Sequence, residues 1–228
     1  MELEIKTLYQ VSISVGVLIG LLFLIVWLQH RAVTALAWWG GAMVLVGVGL
    51  ALIGLRGAIH HVQSIAIGNA VIAVAVAAIW TGARVLERRS VHWVGLFAGV
   101  VIWLAACLVP SFYGSINART ILISAILGVY TLLTAYEFWQ RRGVWLVSRQ
   151  FAVAILIVHG LLFLLRIVFI LASPMQEVLP GSQSGWYLFL VYETILYKIA
   201  LGFALLAMAK DGATRRTEAV AVKRVRSR

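Results

Sequence analysis

An all-α integral membrane bundle is the fold this sequence predicts, and three observations predict it. Of 228 residues, 63% are hydrophobic and 12% charged, whereas a soluble domain carries about half apolar and about a quarter charged residues. The apolar residues gather into seven runs, each near the roughly 20 residues a helix needs to cross a bilayer. The basic residues, which give a net charge of +11, fall between these runs or in the C-terminal tail. That placement fits membrane topology rather than a binding stripe, so the expected partner is the lipid bilayer and not a nucleic acid.

The runs can be taken in order. The first, 7–28, is too long for the core of a signal peptide and lacks a convincing cleavage site behind it, so it is read as a retained span. The second and third, 33–55 and 60–83, are dense in small residues, as in "GGAMVLVGVGLALIGLRG" and "AVIAVAVAA". Small side chains let helices approach closely, which places this pair in the bundle interior. The fourth run, 91–109, is short; the fifth and sixth are 118–138 and 150–172, and the seventh is 186–209. Short connections make neighbouring helices antiparallel, and Pro110, Pro174 and Pro180 all fall in loops, where they break no span. Trp27, Trp38, Trp39, Trp80, Trp93, Trp139, Trp145 and Trp186 lie near run ends and read as an interfacial aromatic belt. Residues 1–210 thus form a seven-span membrane domain, and 211–228 a basic tail expected to lie disordered on an anionic inner leaflet.

Orientation follows from lysine and arginine in the short loops. Fourteen of them fall on one side, from Arg31, Arg84, Arg88, Arg89, Arg141, Arg142 and Arg149 to the tail; only Lys6, Arg56 and Arg119 fall on the other. The N-terminus is expected outside and the C-terminus in the cytoplasm, in a bacterial inner membrane.

Charges inside spans are functional candidates. The sixth run holds His159 and Arg166, seven apart and on one helical face; the seventh holds Glu193 and Lys198. If both helices end at equal depth, Arg166 meets Glu193, and His159 and Lys198 lie near mid-membrane. A lone charge in a span costs roughly 2.5–3.5 kcal/mol on insertion scales, so an Arg166–Glu193 ion pair that pins the last two helices has a motive. Alternatively the pair lines an outward-facing polar pocket that His60, His61, Gln63 and Asn69 share. A retinal Schiff base on Lys198 lacks its acidic counterion on another helix, since runs one to four hold no Asp or Glu in their interiors. The lone Cys107 precludes an internal disulfide, and no Cys/His metal pattern, HExxH, GxSxG or phosphate-binding loop occurs. No enzyme activity, cofactor or metal is expected.

Several stretches matter in combination: "ALAWWGGAMVLVGVGLALIGLRG", then "IAIGNAVIAVAVAAIWTGARVLERRS", "AYEFWQRRGVWLVSRQFAVAILIVHGLLFLLRIVF" and "YETILYKIALGFALLAMAK". Over residues 7–210 this order resembles the N-terminal multi-span membrane region of bacterial GGDEF diguanylate cyclases. The resemblance rests on Arg56, Gly68 with Asn69, the basic stretch Arg84 to Arg89, "SRQ", Arg166 and the "ALLAMAK" exit. It implies a sensory membrane module, working as a homodimer, that receives a small-molecule or membrane signal and passes it through the last span. In that family the span continues into a domain that condenses two GTP into cyclic di-GMP. Neither a GGDEF motif nor the "DxLTGLxNRR" opening of such a domain occurs here, and the exit reads Lys210-Asp211-Gly212. The implied alternatives are a stand-alone relative and a non-signalling remnant of a gene cut or shifted at the domain junction. A small transporter or channel is the rival from another class.

Overall fold

The computed structural model describes residues 2–140, 147–174 and 185–226, with side chains for 7–140, 147–174 and 189–210. It is built of helices: α1 (Glu2–Gln29), α2 (Ala35–Gly54), α3 (Gly68–Leu86), α4 (Trp93–Cys107), α5 (Pro110–Gly114), α6 (Ile116–Trp139), α7 (Val147–Ala172) and α8 (Gly185–Arg226). A π-helical segment, Val62–Ile67, leads directly into α3. No strand occurs among the described residues; the one β-bridge joins Arg56 and Ile59.

Six of these helices are long and apolar enough to cross a membrane: Thr7–Gln29, Ala35–Gly54, Val62–Leu86, Ile116–Trp139, Val147–Ala172 and Phe189–Lys210. The fourth expected span is the exception. Its helix has 15 residues, about 22 Å at 1.5 Å per residue, against a hydrocarbon core of about 30 Å. Two hydrogen-bonded ties fix its course. Near its start, Tyr130 donates its hydroxyl proton to the Gly95 carbonyl and accepts from Gly99 N at 3.1 Å. Near its end, Trp103 Nε1 donates to the Ala66 carbonyl at 3.0 Å. These two ties make α4 antiparallel to α3. The return through α4 is what lets α3 and α6 lie parallel, with Arg84 and Glu137 meeting at their C-terminal ends.

Between membrane helices there is little hydrophobic drive, because lipid tails are as apolar as leucine; close packing and interhelical hydrogen bonds carry the association. Both are visible. A Cβ built on Gly20 would lie 2.8 Å from the Gly40 carbonyl oxygen, and one built on Gly49 would lie 2.9 Å from the Gly68 carbonyl oxygen. Only glycine permits these crossings of α1 with α2 and of α2 with the start of α3. α3 is the innermost helix, its alanines Ala73, Ala75, Ala77 and Ala83 fully buried. The interior placement of the two small-residue helices follows from these contacts.

The tryptophan belt holds only in part. Trp93 and Trp139 are exposed, as lipid-interface residues should be. Trp39 and Trp80 are buried instead, and Trp39 Nε1 donates to the Ile79 carbonyl at 3.1 Å. Gly82 makes room for the Trp39 ring, since a Cβ there would lie 2.4 Å from Nε1. Trp145 and the side chain of Trp186 lie outside the described residues.

At the end where α3 and α6 finish, charges form a clamp. Glu137 takes Arg84 at 2.8 Å and Arg89 at 2.9 Å, and Arg149 on α7 takes Glu87 at 2.5 Å and the Phe138 carbonyl at 3.0 Å. The basic loops expected to mark topology are therefore also structural, tying α3, α6 and α7 together. The tail differs from expectation too. α8 continues without a break past Lys210 to Arg226. Gly212 costs a helix only about 1 kcal/mol, and the alanines, arginines, glutamate and lysine around it are good helix formers.

Candidate functional site

The polar side chains expected inside the spans converge on one cavity of about 850 Å³. It begins at the end opposite the ion-pair clamp, among Arg56, Arg119 and Arg166, and descends between α2, α3, α6, α7 and α8. The lining runs from Arg56, just past the end of α2, down that helix to Met43, and from Ile65 in the π-helical segment down α3 to Ile79, a depth of about 20 Å at the helical rise. One wall is mostly apolar, with Leu50, Ile72, Val76, Ile123 and Leu127, interrupted on the same helices by Asn69, Thr120, Thr131 and Thr134. Helix periodicity explains it: these residues recur at spacings of three or four and so share one face. One turn below the deepest lining residues, Trp39 and Phe138 fill the interior completely.

The other wall is polar. His159 on α7 is 5% exposed, and its Nδ1 lies 2.9 Å from both Oε1 and Oε2 of Glu193 on α8. An ionised carboxylate only accepts, so in that state Nδ1 carries the shared proton. The ring stacks on Tyr197, centroids 3.6 Å apart, and meets the edge of Phe163. Lys198 is 3% exposed and reaches α1, donating to Ser12 Oγ at 2.7 Å and to the Ser12 carbonyl at 3.1 Å. Among the described residues no carboxylate lies within ion-pair distance of its ammonium.

The arrangement departs from the expected register. Glu193 answers His159 rather than Arg166, so α8 sits seven residues, about two turns, away from the position that equal helix ends imply. Interlocking of Phe163, His159 and Tyr197 fixes the depth, and helix ends do not. Arg166 still lines the same cavity, nearer its mouth. Lys198 faces Ser12 rather than His159. Asn69 lines the cavity as well, and its Nδ2 donates to the Ile65 carbonyl at 2.8 Å, back into the π-helical segment. His60 and His61 do not join them. Both are exposed; His60 Nδ1 accepts from Val62 N at 3.3 Å, and the His61 carbonyl accepts from Ser64 Oγ at 3.3 Å. They shape the entry to the π-helical segment and lie outside the cavity lining.

Two members of the site escape a reading by sequence. Arg119 reads as a loop charge, yet it lines the mouth, donating to the Tyr113 carbonyl at 2.8 Å with its guanidinium over the Tyr113 ring. Ser12 reads as an ordinary small residue of a span; its only sequence signal is that it stands, with Gln10 and Ser14, among the few polar residues of a mostly apolar run. No group of three or more His, Cys, Asp or Glu residues able to hold a metal occurs among the described residues. Comparison with protein-family models, with curated proteins and with solved structures finds no match.

Proposed function

We propose that this chain is a sensory membrane module: a ligand entering the cavity changes how α8 packs against α1 and α7, and α8 carries that change to the far side of the membrane. One observation carries the reading. α8 supplies Glu193, Thr194, Tyr197 and Lys198 to the cavity wall and is the same unbroken helix that extends to Arg226. Whatever repacks the wall therefore acts on a rigid lever. A ligand shifts such an equilibrium only through unequal affinity for two packings, and the His159–Glu193 and Lys198–Ser12 contacts are what two packings would make differently.

The arginine and lysine bias supports a cavity mouth outside and α8 leaving into the cytoplasm of a bacterial cell. The antiparallel course of α4 supports a seventh crossing completed by this short helix. The family resemblance carried by Arg166, the Arg84–Arg89 stretch and the "ALLAMAK" exit supports a cyclic di-GMP signalling context, with a dimer as the working unit. The transport reading is less favoured. Trp39, Phe138 and the Glu137 clamp close the path below the cavity.

The test uses whole membranes. With Cys107→Ser and Gly212→Cys, disulfide crosslinking between copies at position 212 reports where the two α8 helices sit. Glu193→Gln and Lys198→Met should each change the crosslinking rate several-fold. An unchanged rate in both, with solute flux in vesicles, would replace the sensory reading by the transport one.

A further inference from the structure

The wall that α7 and α8 share carries a group that can gain a charge without moving. We infer that the signal this cavity takes is the proton: Nε2 of His159 binds it from the mouth side, and the bound proton draws α8 toward α7. This inference rests on the sensory reading for the relay along α8, though not for proton binding itself.

Three observations carry it. First, the two ring nitrogens have different surroundings. Nδ1 lies 2.9 Å from both carboxylate oxygens of Glu193, while Nε2 meets no hydrogen-bond partner among the described residues. With the carboxylate ionised and Nδ1 protonated, a proton delivered by water adds to the Nε2 lone pair, and the pair passes from one net negative charge to none. Second, that proton strengthens two contacts with the same helix. The bond to Glu193 becomes one between two ions, the shorter and stronger kind. The ring face lies on Tyr197, 3.6 Å between centroids and 10° between planes, where a cation is drawn to the electron-rich face of the phenol. Glu193 and Tyr197 are four apart and so neighbours on α8, and both pulls act at one place on that helix. Third, the ring is 5% exposed yet lines the cavity, so the cavity is its path to water. Trp39 and Phe138, both fully buried, close the way to the opposite end.

The charged and titratable groups around His159 are few. α6 packs against α7 there through Gly128 and Leu132, beside Gly160, and its lining residues Leu127 and Thr131 do not titrate. α8 brings Glu193, Tyr197 and Lys198, the last with its ammonium held at Ser12 on α1. Arg166 stands about two turns toward the mouth on α7 itself, and Arg119, Arg56 and Tyr9 complete the lining from α6, the end of α2 and α1. Guanidinium groups keep their charge throughout, whereas imidazole is the side chain that ordinarily changes charge near neutrality.

Nitrogen-15 NMR of the histidine rings, on the full chain in nanodiscs, follows the proton. The His159 ring is recognised in the native chain by its contacts with Tyr197 and Phe163, so no variant has to fold. Its Nε2 resonance should move from the bare to the protonated position as the pH falls from about 8 to about 5; a resonance that stays in one position overturns the inference. The relay is read by crosslinking at position 212, with Cys107→Ser and Gly212→Cys, in right-side-out vesicles. Holding the inner pH fixed keeps the thiol chemistry constant. Lowering the outer pH over the same interval should change the rate about three- to ten-fold. His159→Gln should flatten that response, and Lys198→Met should preserve it. A response lost in Lys198→Met but kept in His159→Gln overturns the inference and leaves the sensory reading standing. Protonation of Nε2 with an unchanged rate does the reverse: the proton site stands and the sensory reading is refuted.

Discussion

Glu137 offers the sharpest test of how the bundle is held together. Its carboxylate is 5% exposed and meets Arg84 at 2.8 Å, whose side chain is 17% exposed, and Arg89 at 2.9 Å, whose side chain is 39% exposed. Only the Arg84 contact is a directed hydrogen bond; the Arg89 contact is a close approach of charges. Removing one partner of a fully buried pair costs about 3–5 kcal/mol, whereas exposed pairs are worth about 0–1 kcal/mol. Glu137→Gln keeps the shape and one acceptor but leaves two half-screened cations against a buried amide. Its expected cost lies between these limits, at about 2 kcal/mol. For a chain of this length that lowers the melting midpoint by about 4–8 °C. The assay is thermal unfolding in detergent, followed by double-mutant cycles with Arg84→Gln and Arg89→Gln. Coupling of about 1–2 kcal/mol to Arg84 is expected, and less than about 1 kcal/mol to the more exposed Arg89. An unchanged midpoint, or stronger coupling to Arg89 than to Arg84, would refute the view that burial and directed geometry decide the strength of this clamp.

Two further outcomes follow from packing and from the deep lysine. Gly49→Ala should destabilise by about 1–3 kcal/mol, because its Cβ would lie 2.5 Å from Ile72 Cγ1 and 2.9 Å from the Gly68 carbonyl oxygen. Gly41→Ala meets nothing within 4 Å and should stabilise α2 by about 0.5–1 kcal/mol; thermal midpoints of the two variants should move in opposite directions. Ser12→Val removes one of two acceptors from a buried ammonium and should cost about 1–3 kcal/mol, while Lys198→Met removes the charge itself and should be nearly neutral. Denaturation in mild detergent ranks them, and equal losses would show that Lys198 makes no essential demand on Ser12.

Much of this architecture is legible in the sequence because the bilayer imposes one length scale. Six of seven expected spans coincide with helices of spanning length, and the small residues of α2 and α3 mark where backbones touch. What sequence reads poorly is register and partner choice. The seven-residue spacing of His159 and Arg166 places both on one face correctly, but their depth against Glu193 depends on how the rings of Phe163, His159 and Tyr197 interlock, which no run of apolar residues encodes. Trp39 shows the same limit. A tryptophan at a span end reads as interfacial, yet the missing side chain of Gly82, a partner 43 positions away, opens an interior site for it. Glu137 reads as an end-of-span charge, and its role emerges only when α3 and α6 prove parallel. The tail reads as unstructured from its charge, while local helix propensity carries α8 across Gly212.

The π-helical segment at Val62–Ile67 has a consequence for how relatives of this chain would align. Elsewhere in α3 a gain or loss of one residue would rotate everything beyond it by about 100° and turn Asn69, Ile72 and Val76 away from the cavity. A π turn holds one residue more than an α turn does, and it can take up such a change by narrowing. Length variation in this helix should therefore gather just ahead of Gly68. Numbering by the Gly68–Asn69 pair, rather than by the preceding loop, is what keeps the cavity wall in frame.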